Sequence, residues 1–224
     1  MAFTKGMCGL RMVKAKAMSP IERTRTQKTV KESTFYDFVF LIGPGGVGKT
    51  TTGKHLSDRI GYDFVDLDEY FCSEVANIRK FISDFGYREY VIMNSRCFND
   101  VINKCRSNTV ISLSSGFLIF EEADEVVEAN REYIRRLGVA VLLVPSLDHQ
   151  KAADIVAKRQ VGRGFGLNEA EERKKFLERI KIYEGFSKHT ALSGGCPADS
   201  VDRIVRMLDL HPAEHGATTA SGTA

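Results

Sequence analysis

The sequence predicts a three-layer α/β fold, a five-stranded parallel sheet with helices on both faces. Three observations lead there. Apolar, β-branched runs alternate with helix-patterned stretches, the rhythm of repeated strand–helix units. Those runs are nearly continuous in apolar residues, as strands covered on both faces require. The first run, Phe38-Val39-Phe40-Leu41-Ile42, leads straight into Gly43-Pro44-Gly45-Gly46-Val47-Gly48-Lys49-Thr50. That is G-x-x-x-x-G-K-T set between a strand and a helix, the context a phosphate-binding P-loop needs.

The elements follow in order. Residues 37–42 form the first strand, and 49–60 the helix after the glycine-rich turn. Residues 64–67 read as a short second strand, followed by helices at 72–84 and 87–104. A third strand is expected at 109–113, a helix at 121–137 and a fourth strand at 139–144. Helices at 149–159 and 169–186 flank the Arg- and Gly-rich segment 160–166. A faint fifth strand at 190–193 precedes Gly194-Gly195, and a helix at 199–210 closes the fold. There is no internal repeat. One domain, 34–210, is expected between a basic, disordered N-terminal extension (1–33) and a small, polar, disordered tail (211–224).

Composition narrows the function. The chain of 224 residues has a net charge of +3, too small by itself to imply a nucleic-acid partner. Residues 1–33 carry a net +6, so the remainder is mildly acidic. The basic, acid-poor extension is compatible with an organelle-targeting segment, but lacks an amphipathic pattern. No run of 18 apolar residues exists, so no membrane span is expected. Five scattered cysteines without C-x-x-C spacing read as free thiols of a cytoplasmic protein. The five histidines form no ligand pair for zinc. A monomer or weak oligomer acting on a small molecule is the expectation.

The loop carries the first piece of chemistry. Backbone N–H groups of Gly43, Gly45, Gly46, Val47 and Gly48, continuing to Thr51, would hold the phosphates of ATP. Lys49 would reach the β- and γ-phosphates, and the Thr50 hydroxyl would serve Mg²⁺. Asp66-Leu67-Asp68 ends the second strand, where ligands of open α/β sheets bind. Period-two alternation puts Asp66 and Asp68 on one side of that strand. One carboxylate can hold Mg²⁺ or its waters, and the other can accept a proton from an attacking hydroxyl. The alternative is an aspartate capping the next helix.

Gly43–Thr50, the phrase Gly61-Tyr62-Asp63-Phe64-Val65-Asp66-Leu67-Asp68 and the elements after it resemble shikimate kinases, over about residues 36–210. The resemblance implies Asp66 in the Mg²⁺ water shell and Asp68 at the accepting hydroxyl, serving as its base. Ser114-Ser115-Gly116 falls where the family has Gly-Gly-Gly beside the substrate. Gly86–Asn94 falls on a Gly-Glu-x-x-Phe-Arg-x-x-Glu segment, with Tyr90 at the aromatic, Val91 at the carboxylate-clamping arginine and Asn94 at the glutamate. Arg88 and Arg96, in neighbouring turns, read as solvated surface cations. Lys158-Arg159-Gln160-Val161-Gly162-Arg163-Gly164-Phe165-Gly166 matches the arginine-rich lid in position. Arg163 would close over the transferring phosphoryl group, Arg159 would meet the adenine or the phosphates, and Gly162, Gly164 and Gly166 would supply flexibility. Arg179 and Tyr183 match an Arg-x-x-x-Tyr segment whose arginine contacts the substrate carboxylate. The implied activity is ATP- and Mg²⁺-dependent phosphorylation of shikimate or a related hydroxylated metabolite. Two other readings stand beside it, a kinase-like regulatory protein without turnover and a P-loop NTPase acting on a macromolecule.

Overall fold

A computed structural model describes residues 36–164 and 166–211. The expectations for 1–33 and for all but the first residue of the tail lie outside them. Five strands, β1 (Phe38–Ile42), β2 (Asp63–Asp66), β3 (Thr109–Ser112), β4 (Gly138–Val144) and β5 (His189–Leu192), form one sheet in the order β2-β3-β1-β4-β5. Every pairing is parallel. The central strand β1 is buried along its whole length. Its neighbours lie on opposite sides of it, β3 on one and β4 on the other, so the chain reverses its direction of travel there. A crevice opens at such a switch point, beyond the carboxyl ends of the strands. The P-loop leaves β1 into that crevice.

The helices are α1 (Lys49–Ile60), α2 (Leu67–Glu74), α3 (Ile78–Phe85), α4 (Tyr87–Lys104), α5 (Asp124–Leu137), α6 (His149–Val161), α7 (Glu169–Phe186) and α8 (Pro197–Met207). One core joins the sheet to them, with Phe40, Leu41, Ile42, Leu56, Phe98, Ile111, Phe176 and Ile180 within it. Gly138 is required where β4 meets β1. A Cβ there would lie 2.0 Å from the Phe38 carbonyl oxygen.

Four local readings need correction. The helix expected at 72–84 is two helices, because the chain turns at Val75-Ala76 and Asn77 caps α3, its side chain accepting from the N–H groups of Arg79 and Lys80. The strand expected at 64–67 spans Asp63–Asp66, and Leu67 already starts α2. The helix before the lid continues through Val161, so Gln160 belongs to it. The helix expected at 121–137 begins at Asp124, after a 3₁₀ turn at Glu121–Ala123.

Candidate active site

The loop after β1 is shaped by glycines in the left-handed region, among them Gly46 and Gly48, with φ of 83° and 97°. Gly48 is the N-cap of α1 and makes no side-chain cap, so the first amides of α1 open into the loop. Lys49 Nζ donates to the carbonyls of Gly43 (2.8 Å) and Pro44 (3.1 Å). Burial lowers its pKa to about 8, against the pull of Asp68 and Asp66, and Arg163 and Arg179 lower it further. The candidate donor lysine, both aspartates, the lid arginine and the α7 arginine thus share one electrostatic neighbourhood.

Asp66 ends β2 and caps α2. Its Oδ1 accepts from the backbone N–H of Asp68 (2.9 Å) and of Glu69 (3.2 Å). Its Oδ2 accepts from the Thr50 hydroxyl at 2.6 Å. Asp66 therefore caps α2 and at the same time holds the Thr50 hydroxyl. Asp68 lies in the first turn of α2, so strand alternation does not account for its direction. Helix geometry places it, and its Oδ1 accepts from Ser114 Oγ (2.5 Å) and from the Tyr90 hydroxyl (3.4 Å). Thr50 and Asp66 offer adjacent hard oxygens at the P-loop end of the crevice. That donor set fits Mg²⁺, which keeps most of its ligands as water and phosphate oxygen.

The wall beyond β3 is made by Ser114, Ser115 and Gly116. Ser114 is buried and its hydroxyl is committed to Asp68. The Ser115 carbonyl accepts from Arg179 Nη1 (3.4 Å) and from the Tyr183 hydroxyl (2.8 Å). The Tyr87 side chain closes over Gly116, where a Cβ would lie 2.1 Å from its hydroxyl oxygen and displace the ring. Val91 is 3% exposed and packs in the core. Arg88 pairs with Glu89 and donates to the Glu122 carbonyl, and Arg96 is exposed. Asn94 is buried. Its Nδ2 donates to the Tyr90 oxygen (3.4 Å), and its Oδ1 has no partner among the described residues. Burial, then the charge of Asp68, raises the Tyr90 pKa, and burial raises that of Tyr183, so both hydroxyls keep their protons. The P-loop, D-x-D and lid signals pointed to no tyrosine. Tyr90 stands at the aromatic position of the Gly86–Asn94 segment, which implied no contact with Asp68, and Tyr87 carries no motif.

The lid begins at the end of α6. Arg159 donates to the carbonyls of Gly46 (3.2 Å) and Ser193 (3.5 Å), so it rests on the P-loop. Arg163 is exposed, and with Gly46, Thr51, Arg159, Ser193 and Pro197 it lines a cavity of about 290 Å³ beside the loop. Of the lid glycines, Gly164 and Gly166 adopt positive φ, whereas Gly162 is right-handed helical and makes no use of that freedom. Sequence reasoning missed Ser193, Gly195 and Pro197, which form the far side of the cavity. The faint fifth strand with its Gly-Gly turn was their only signal. Ser193 Oγ donates to the Val47 carbonyl (2.6 Å), tying that turn to the P-loop. A larger open hollow of about 440 Å³ runs along α7 past Arg173, Lys174 and Lys181, away from all these groups.

Among known proteins, the family model described as shikimate kinase matches residues 45–209. A shikimate kinase from a Psychrobacter species is 25% identical over 182 residues, which cover 79% of this chain and 94% of that protein. Shikimate kinase 2 of Photorhabdus laumondii is 29% identical over 123 residues, covering 54% of this chain and 61% of that protein's length. The solved structure of shikimate kinase from Acinetobacter baumannii in complex with shikimate has a TM-score of 0.63 at 21% identity, covering 77% of this chain and 93% of that one. The structural likeness concerns the fold.

Proposed function

The chain belongs to the shikimate kinase family, and we propose that it transfers the γ-phosphoryl group of ATP to a hydroxyl of shikimate or a related small hydroxylated metabolite. One observation carries this reading. Asp68, anchored through one oxygen, stands in the same charged neighbourhood as the P-loop lysine and two arginines from separate elements. A nucleotidase would need no such second half.

Phosphoryl transfer demands positioning and charge neutralisation more than covalent work by the protein. The loop amides and Lys49 hold the phosphates, the lysine exchanging its carbonyl partners for phosphate oxygens. The cavity between Arg159 and Pro197 takes the adenosine end. Asp68 receives the acceptor's hydroxyl and removes its proton. Arg163 closes over the γ-phosphoryl group, neutralises charge and excludes water. Thr50 and Asp66 would hold Mg²⁺, which would supply positive charge to offset that of the phosphates. Arg179 faces an anionic group on the acceptor.

The acceptor side supports a widened choice. With Val91 in the core, Arg179 stands without a second guanidinium at the position the family uses. A carboxylated acceptor then meets one cation where two would clamp it. A coupled ADP-release assay with shikimate tests the proposal. Shikimate-dependent ADP formation is expected, with a KM weakened by the missing clamp. ADP formation that is indifferent to shikimate and to every other hydroxylated acid, sugar or cyclitol would sink it.

A further inference from the structure

We infer that Ser114 and Tyr90 are positioning residues that fix the Asp68 carboxylate so that Oδ2 is the oxygen that takes the acceptor's proton. The proton step rests on the kinase reading above. The orientation of Asp68 rests on geometry.

The two aspartates differ in what their oxygens touch. Asp66 has both engaged, Oδ1 by two backbone amides and Oδ2 by Thr50. Asp68 receives two hydroxyl donors, and both go to Oδ1. Among the described residues, no hydrogen bond reaches its Oδ2, and the side chain is exposed. Two donors on one oxygen fix the plane of a carboxylate and leave the other oxygen facing outward. These donors come from different elements, Ser114 from the turn after β3 and Tyr90 from α4, so no local helix geometry explains their convergence.

Both donors are themselves held. Ser114 follows Leu113, whose N–H continues the β3–β1 ladder by donating to the Leu41 carbonyl at 3.0 Å. The Tyr90 ring packs against Phe71 and Tyr87, with centroids 5.2 and 5.5 Å away. Asn94 supplies an amide proton to the Tyr90 oxygen, which directs the hydroxyl's single proton toward Asp68. The donors thus run one way, Asn94 to Tyr90 to Asp68. Burial keeps Tyr90 a donor throughout the working pH range.

The step balances. The acceptor O–H bond breaks, its proton goes to Asp68 Oδ2, and the electron pair left on oxygen forms the new bond to the γ-phosphorus. The bond from that phosphorus to the bridging oxygen breaks, and ADP leaves with its electrons. Asp68 later returns the proton to solvent.

Ser114→Ala and Tyr90→Phe test the inference, with shikimate as the acceptor probe. Each loses a hydrogen bond to a charged group, so kcat is expected to fall about tenfold to a hundredfold. KM for ATP is expected to stay within about twofold, since the donor half is untouched. Ser114→Thr keeps the hydroxyl and should recover most of the rate. Unchanged kcat in both variants would overturn the inference, as would a loss carried wholly by KM for shikimate. Tyr90→Phe decides the matter if Ser114→Ala fails to fold. Crystal structures of the variants give a readout free of any acceptor. Asp68 should leave its single orientation in them, and an Asp68 that stays in place would refute its positioning by these hydroxyls. If the wild-type protein transfers nothing to shikimate, the reading of the acceptor fails, and the crystallographic comparison still decides the role of Ser114 and Tyr90.

Discussion

Asp66 and Asp68 stand two residues apart and meet different partners, and the assignment of the acceptor's base turns on that difference. Asp68→Asn keeps the shape and the Ser114 contact but removes the proposed base. Transfer should fall by at least about a hundredfold while ATP binding survives, as measured by steady-state turnover and calorimetry. An unchanged rate would mean that another group takes the proton. Lys49 gives a prediction in pH. Its pKa, lowered to about 8 by burial, lies below the 10.5 of an ordinary lysine. Between those values the unfolded chain holds more protons, so this group's contribution to folding stability rises with pH across the window. The penalty is fully present below pH 8. Nucleotide binding responds in the opposite sense, because phosphates need the ammonium form. ATP affinity should weaken above pH 8, by at most about tenfold per unit. Lys49→Met should flatten that dependence, and a flat profile in the wild type would contradict the assignment.

At the scale of elements, long periodic or punctuated segments were legible and short ones were not. The strand–P-loop–α1 unit could be read because an apolar run, four glycines and Lys49-Thr50 agree. The break between α2 and α3 could not, because Cys72–Asp84 keeps an acceptable helical pattern while Asn77, a strong cap, sits inside it. The direction of Asp68 was misread for a related reason. A one-residue error at the end of β2 swaps strand alternation for helix geometry. Tyr90 and Tyr183 could be placed on segments of the resemblance, but the contact of Tyr90 with Asp68 was illegible, since it arises only through tertiary packing. Gly138 shows the same limit, because only the structure reveals how near β4 comes to Phe38. Gly138→Ala would place a methyl 2.0 Å from a backbone oxygen that cannot swing aside. It should destabilise the protein by about 1–3 kcal/mol or more, read from urea unfolding. A neutral result would mean that β4 shifts freely against β1.

At the scale of the whole molecule, the parallel sheet brings three separate parts of the chain to one crevice. The P-loop comes from β1, the aspartates from the end of β2 and the start of α2, and the serine turn from β3, with the lid arriving from α6. The order β2-β3-β1-β4-β5 makes this possible, since β1 lies between the acceptor wall and the strand that leads to the lid. The lid is the part whose contribution depends on closure. Arg163→Ala should lower kcat by about a hundredfold or more with a smaller effect on ATP affinity, because in the proposed role the guanidinium would act on charge in the transition state. Equal losses in binding and turnover would place Arg163 with the nucleotide alone. The most direct test of the central claim is ³¹P NMR of the protein incubated with ATP, Mg²⁺ and shikimate, followed by a panel of hydroxylated acids, sugars and cyclitols. The account predicts a new phosphomonoester resonance growing in step with ADP for at least one acceptor, and absent with Asp68→Asn. Inorganic phosphate as the sole new signal across the panel, or no ATP consumption by a protein that binds ATP, would contradict it.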